Sequence, residues 1–338
     1  MFLIMIKGFS QDNCDDIIIR ANNDYDKGLF REVISNLELC MKKDANEVTL
    51  WQSYKLLAMC QLQLNSPENA RIAAEKMLEI NPLYKPNVLN DPKEFIDLIK
   101  SITVIPRFSL TVSGIYGITN SSPQVINSFE LTGKPKIFEG GTGFNAGIFI
   151  DYYFSKHIAL QTGAFTTKYN YSFNYNQSDL GSNVTGKEHL NYFEIPVLVK
   201  YTIGSWPLRP YLQLGGYYGY LNTDYLDLTL TDADGSITKT KNNSIKDIRK
   251  PYNWGMLFGL GLSYKLRSGS LFLDYRLTKG VTNIYNTSIN RYSNSHQDLM
   301  YNYYYIPDDI RLNNVIISVG YAFYVSYKVV RNQKYKFL

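Results

Sequence analysis

The chain has 338 residues, a formal charge of +5 and an aromatic share of 14%, with 29 tyrosines. That length accommodates two modest domains, and so small and dispersed a positive charge excludes a nucleic-acid-binding surface. Mean hydropathy is −0.23, and no apolar run of about 18 residues is present to cross a membrane as a helix. Membrane-spanning strands stay open, because their alternation scores low on hydropathy.

Residues 1–10 read as a partial signal peptide, with small Gly8 and Ser10 bracketing Phe9 after an apolar run. The plainer reading is an apolar tail. Cys14 follows no Leu-Ala-Gly run of the kind that precedes a lipid anchor. The spacing of Cys14, Cys40 and Cys60 matches no zinc or redox motif.

Residues 11–103 carry helical periodicity. Ile17, Ile18, Ala21, Leu29, Val33, Ile34 and Leu37 recur at helical spacing, broken at Lys27-Gly28. Leu50, Tyr54, Leu57, Ala58 and Leu62 line a second helix. Asn65-Ser66-Pro67 turns the chain, with Ser66 as cap and Pro67 at the first helical position. Ala70, Ala74, Met77 and Leu78 line the next helix, which Asn81-Pro82 ends. The pairs Ala21 and Ala58, Val33 and Ala70, Leu37 and Ala74, Cys40 and Met77 fall at equivalent places. Their period is close to the roughly 34 residues of a tetratricopeptide (TPR) repeat. A final helix near Asp91–Ile102, started by Asp91-Pro92, acts as a cap. Such stacks bind peptides or partner proteins; a helical spacer or plug is the alternative.

From residue 104 to 338 the period changes to two. Candidate strands are Arg107–Tyr116, Gly143–Phe154, Ile158–Tyr175, His189–Tyr201, Arg209–Asn222, Tyr252–Tyr264, Ser270–Asn283 and Asn314–Val325. Short turns near Ser155-Lys156-His157, Gly204–Pro207 and Arg267-Ser268-Gly269 alternate with four long polar loops. These loops are Asn120–Gly141, Asn176–Gly186, Thr223–Lys250 and Tyr285–Arg311. The fold class is therefore α + β multidomain: TPR-like helical repeats, then an eight-stranded antiparallel transmembrane β-barrel with every long loop on one side. That asymmetry puts the helical part and the C-terminus on the periplasmic side.

The faces agree. Trp254, Met256, Phe258, Leu260, Leu262 and Tyr264 make an apolar outer face, with small residues between them for a narrow lumen. Arg107, Asp151, Glu194, Lys200, Asp274 and Arg276 fall inward and balance in sign. We read them as a salt-bridged plug, with Arg276 meeting Glu194 or Asp274 across strands; a proton or solute path is the alternative. Cys14 and Cys40 lie about equally far from the Lys27-Gly28 turn, so an oxidising periplasm would bridge them. The alternative is three reduced core cysteines.

The segment Tyr192-Phe193-Glu194-Ile195-Pro196-Val197-Leu198-Val199-Lys200-Tyr201 is followed by Arg209-Pro210-Tyr211-Leu212 and Gly215-Gly216-Tyr217-Tyr218-Gly219-Tyr220. Together they resemble the PorT-like outer-membrane barrel family of Bacteroidetes. Leu273-Asp274-Tyr275-Arg276 and Gly280-Val281-Thr282-Asn283-Ile284 are similar to its later signature. The resemblance spans roughly Arg107–Val325 and implies fold and location but no catalytic residues; one branch of that family serves type IX protein secretion.

No phosphate loop, nucleophile elbow or His-Glu-x-x-His helix is present, and no residue points to a cofactor or metal. His157 falls in a turn, His189 near a strand end and His296 in an outer loop. These readings describe a non-enzymatic outer-membrane scaffold or binding component of an envelope complex, serving protein secretion or outer-membrane assembly. Its partners would be outer-membrane lipid and a periplasmic or outer-membrane protein docked on the helical domain. The alternative is a lipase- or protease-type barrel in which His189 and His296 meet at the outer rim.

Overall fold

The computed structural model describes residues 14–41, 46–129, 135–177 and 181–330, the side chains of 114–118 excepted. The expected leader at 1–10 lies outside the described residues. Two compact units are present: one runs to Pro106 and resumes at Tyr327, and the other is Arg107–Ser326.

The first unit holds α1 (Cys14–Asp26), α2 (Phe30–Met41), α3 (Glu47–Gln63), α4 (Pro67–Ile80) and α5 (Lys93–Ser101). Gly28 turns the chain between α1 and α2 at φ +80°, a left-handed conformation that costs glycine little. Asn46 caps α3 by accepting from the Thr49 amide at 2.9 Å. Pro67 opens α4, but the hydroxyl of Ser66 caps no amide; it accepts from Asn69 Nδ2 at 3.0 Å.

Asp91 does not cap α5; Pro92 stands at that position. The Asp91 carboxylate instead pairs with Lys55 Nζ at 2.6 Å and accepts Tyr84 Oη at 2.6 Å and the Asn87 amide at 2.7 Å. A charge-assisted set of this kind outcompetes a single helix-end amide. Burial opposes ionisation of Asp91, but these donors outweigh it and hold the carboxyl below its ordinary value.

Helix α3 is covered on more than one side, so the single stripe of Leu50, Tyr54 and Leu57 understates its contacts. Leu56 and Cys60 pack with Ile18, Val33 and Leu37, while Ala58 and Met59 pack with Ala74, Met77 and Phe95. All eight of the paired positions from Ala21 to Met77 are buried. Cys14 and Cys40 are bonded across the open end of the α1–α2 hairpin, with Cα atoms 5.4 Å apart. Cys60 is free and buried, and burial pushes its thiol up to about 12.

The strands are β1 (Thr103–Asn127), β2 (Ile137–Tyr153), β3 (Ile158–Gln177), β4 (Ser182–Thr202), β5 (Leu208–Thr231), β6 (Ile237–Ser244), β7 (Tyr252–Lys265), β8 (Gly269–Gly280) and β9 (Asp309–Val330), and they make the second unit apart from the first four residues of β1 and the last four of β9. Every strand but β6 belongs to an antiparallel barrel, which closes with β1 beside β9 and β4 beside β5. Strand β6 pairs with the far end of β5, beyond the stretch that pairs with β7.

The three tight turns lie where expected, but much of the four long loops is strand. β1 continues to Asn127, β3 to Gln177 and β5 to Thr231, while β4 begins at Ser182. The fourth loop, 281–308, stays irregular apart from α6 (Gln297–Tyr303). The reason is visible in β4. Its outward face is apolar from Phe193 through Ile195, Val197 and Val199 to Tyr201. Towards the loop end the outward residues become Asn183, Thr185, Lys187 and His189, and the inward ones become Val184, Leu190 and Tyr192. Alternation continues while the apolar side changes from outside to inside. A stretch with a polar exterior reads as loop from sequence, yet it is strand standing clear of the hydrocarbon.

The apolar exterior forms a band with aromatic edges. Tyr218, Tyr220, Tyr252 and Trp254 are exposed on the loop side, and Tyr201, Trp206, Tyr264 and Phe323 on the turn side. Such girdles sit at the two interfaces of a membrane-spanning barrel.

Candidate functional site

Within the band the inward face is polar, and its charged side chains are buried. Cross-strand register sets Asp151 opposite Ser109 and Gln161. Its carboxylate accepts Ser109 Oγ at 2.8 Å, Thr111 Oγ1 at 2.8 Å and Gln161 Nε2 at 2.7 Å. Glu194 accepts Thr167 Oγ1 at 2.6 Å and Tyr169 Oη at 2.7 Å. Asp274 pairs with Arg276 and accepts the Tyr211 hydroxyl. Tyr211 reaches it because its register partner is Gly261, where any Cβ would overlap the phenol ring. The Arg276 guanidinium lies 4.9 Å from the centre of the Phe149 ring, and Lys200 Nζ lies 4.1 Å from that of Tyr211.

Five of the six charges expected inside, namely Asp151, Glu194, Lys200, Asp274 and Arg276, are buried. Arg107 is not. It is exposed at the first residue of the barrel unit, 5.7 Å from the ring of its neighbour Phe108. Of the two partners expected for Arg276, Asp274 is the one it meets, though within a strand and not across strands. Asp151 and Glu194 are held by neutral donors from neighbouring strands. Hydroxyl and amide donors satisfy a buried carboxylate without desolvating a second ion.

Beyond the band lies a second layer that the sequence reading assigned largely to loops. Buried Arg249 contacts both Glu188 and Asp224, the latter at 2.9 Å. Tyr171, Phe173 and Tyr305 line one small cavity with it, and they belong to an apolar cluster that also holds Tyr192 and Leu226. Segment 281–308 contributes Ile284, Tyr285, Leu299 and Tyr303 to the same core. It is fastened by Lys136, whose Nζ lies 2.9 Å from Asp308, and by Arg291, which pairs with Asp309. The Arg291 guanidinium also lies 3.9 Å and 3.8 Å from the ring centres of Phe129 and Tyr285. Carrying the β4 alternation from Glu194 back to Glu188 would have found the first carboxylate of this layer.

The histidines do not meet. His157 Nδ1 lies 2.8 Å from the Thr202 carbonyl, and His189 Nδ1 lies 2.8 Å from Asn170 Oδ1. His296 Nε2 lies 2.7 Å from Asp247 Oδ1, and Ser295 donates to the same carboxylate. Burial opposes ionisation of Asp247, but these two partners outweigh it and lower the carboxyl from its ordinary value. With the hydroxyl bonded to the carboxylate, the imidazole is not placed as its base. Asp247 and His296 border an open depression of about 660 Å³ lined also by Ser244, Lys246, Arg249 and Asn286. Among the described residues no group of three or more His, Cys, Asp or Glu is placed to hold a metal ion.

The model of the outer membrane protein beta-barrel domain family matches residues 106–286. No curated protein matches the chain. Among solved structures, Neisserial surface protein A is similar at 13% identity and TM-score 0.32, over 66% of this chain and 99% of that one. OprG from Pseudomonas aeruginosa is similar at 14% identity and TM-score 0.34, over 64% and 95%. Ail of Yersinia pestis, solved with a heparin analogue, is similar at 13% identity and TM-score 0.27, over 65% and 100%.

Proposed function

The chain belongs to the outer membrane protein beta-barrel domain family, and from that premise we propose a closed, non-enzymatic barrel that acts as a scaffold or binding component of an envelope complex. The observation that supports this reading is the filling of the bore at two heights. Asp151, Glu194 and the Asp274–Arg276 pair are buried within the band, and Arg249 with Glu188, Asp224 and the surrounding tyrosines is buried beyond it. An eight-stranded barrel is just wide enough for side chains to fill, so binding falls to the loops and the helical unit.

In this reading the helical unit is a TPR-like, partner-binding module in the periplasm. The buried equivalents Ala21 and Ala58, Val33 and Ala70 support the repeat, and tight turns on the side where β1 begins support the location. The PorT-like segment Tyr192–Tyr201 favours a role in protein secretion or outer-membrane assembly. A photo-crosslinking residue at Leu39 or Ile72, both exposed, tests the module. A discrete envelope-protein adduct is expected from cells. No adduct from either site, with the barrel correctly inserted, would contradict the reading.

A rim hydrolase is the second reading, favoured only by the proximity of Asp247, Ser295 and His296. It requires ester or peptide hydrolysis that Ser295→Ala abolishes.

A further inference from the structure

We propose that the outer rim between β5 and β9 binds the phosphate headgroup of an outer-leaflet lipid. The inference rests on the reading that the long-loop rim faces outward. Four cations leave the apolar band together in this sector. Lys279 is the first polar residue on the outward face of β8 after Leu271, Leu273, Tyr275 and Leu277. Register sets it opposite Asn313, so Arg311, next on the outward face of β9, is its diagonal neighbour at roughly 7–8 Å. The Lys250 amide donates to the Ile284 carbonyl at 2.8 Å, and the Ile284 amide donates to the Ile310 carbonyl at 3.0 Å. Lys250 thus stands two segments from Arg311, roughly 10 Å away. Lys246 extends over the girdle residue Tyr220, with Nζ 5.5 Å from the ring centre.

The carboxylates of this sector are already engaged. Asp224 is held by Arg249, Asp247 by His296 and Ser295, and Asp309 by Arg291, Asn283 and Asn127. Among the described residues none of the four cations is drawn into an ion pair. Elsewhere on the rim, register sets Lys187 opposite a carboxylate, Asp227, on β5. Exposed girdle aromatics below and unpaired cations above match a lipid whose acyl chains lie in the band and whose phosphate stands at its edge. Basic residues at such a surface each add measurably to the attraction for anionic headgroups.

The test is lipid retention by the full chain in detergent micelles, read by native mass spectrometry. The probes are lipid A, dephosphorylated lipid A, phosphatidylglycerol and inorganic phosphate as competitor. Wild type should retain lipid A. A variant carrying Lys246→Gln, Lys250→Gln, Lys279→Gln and Arg311→Gln should lose about tenfold or more. A control with Lys168, Lys187, Lys239 and Lys241 changed to Gln removes the same charge elsewhere and should retain it. Equal loss in both variants, equal binding of dephosphorylated lipid A, or complete displacement by inorganic phosphate would overturn the proposal. Stronger retention of phosphatidylglycerol than of lipid A would overturn the outer-leaflet assignment. Thr238→Cys on β6 separates the premise: labelling from outside intact cells supports the outward rim, and protection would overturn rim orientation and proposal together.

Discussion

Arg276 and Asp274 lie two residues apart on the inward face of β8 and form an ion pair inside a single strand. Because both point into the bore, neither depends on a neighbouring strand for its ion-pair partner. Removing the cation leaves a buried carboxylate whose remaining donor is the Tyr211 hydroxyl.

Arg276→Leu is therefore expected to destabilise the barrel by on the order of 3 kcal/mol. Arg276→Leu with Asp274→Leu should cost less than Arg276→Leu alone, since no unpaired ion stays behind. The midpoint of heat-modifiable migration on gels measures both. An unchanged midpoint in the single variant would show that the pair does not fill the bore.

A second expectation concerns acid. The Asp91 carboxyl is lowered from its ordinary 3.8, so its contribution is present above that value and is lost as pH falls through the lower, folded one. Asp91→Asn should cost the helical unit about 1–3 kcal/mol near neutral pH. The gap between wild type and variant should close below about pH 4. Limited proteolysis of the helical unit across pH reads this, and a gap that persists in acid would be contrary evidence.

The bond between Cys14 and Cys40 makes a third. Denatured, unreduced protein should show one free thiol, that of Cys60, and three would contradict the bridge. Cys14→Ser should cost about 3 kcal/mol by freeing the loop in the unfolded chain.

Location is testable by fractionation. The chain should sediment with the outer membrane and need detergent for release, because residues such as Phe258 and Leu260 are apolar and exposed. Release into a soluble periplasmic extract would contradict that.

How much could be read beforehand divides at Phe193. Within the band, the apolar exterior of Trp254–Tyr264 and the small residues between gave the strand, its facing and the barrel together. Beyond the band the exterior of β4 turns polar at Asn191 and His189, and the same alternation reads as loop. Glu188, Asp224 and Arg249 were missed for that reason. Arg107 was misplaced because parity gives the face of a strand but not where burial stops. The paired helices were legible from small residues such as Ala58 and Ala70. The role of Asp91 was not, because its partners Lys55 and Tyr84 lie on other segments that only the fold brings close.

Closure of the bore is the central point, and ion conductance measures it directly. Purified wild-type protein inserted in a planar lipid bilayer should pass no current above the bare bilayer if, as proposed, the Asp274–Arg276 pair and the Arg249 cluster close the lumen. Steady single-channel steps in wild type, abolished when the protein is unfolded before insertion, would contradict a closed barrel.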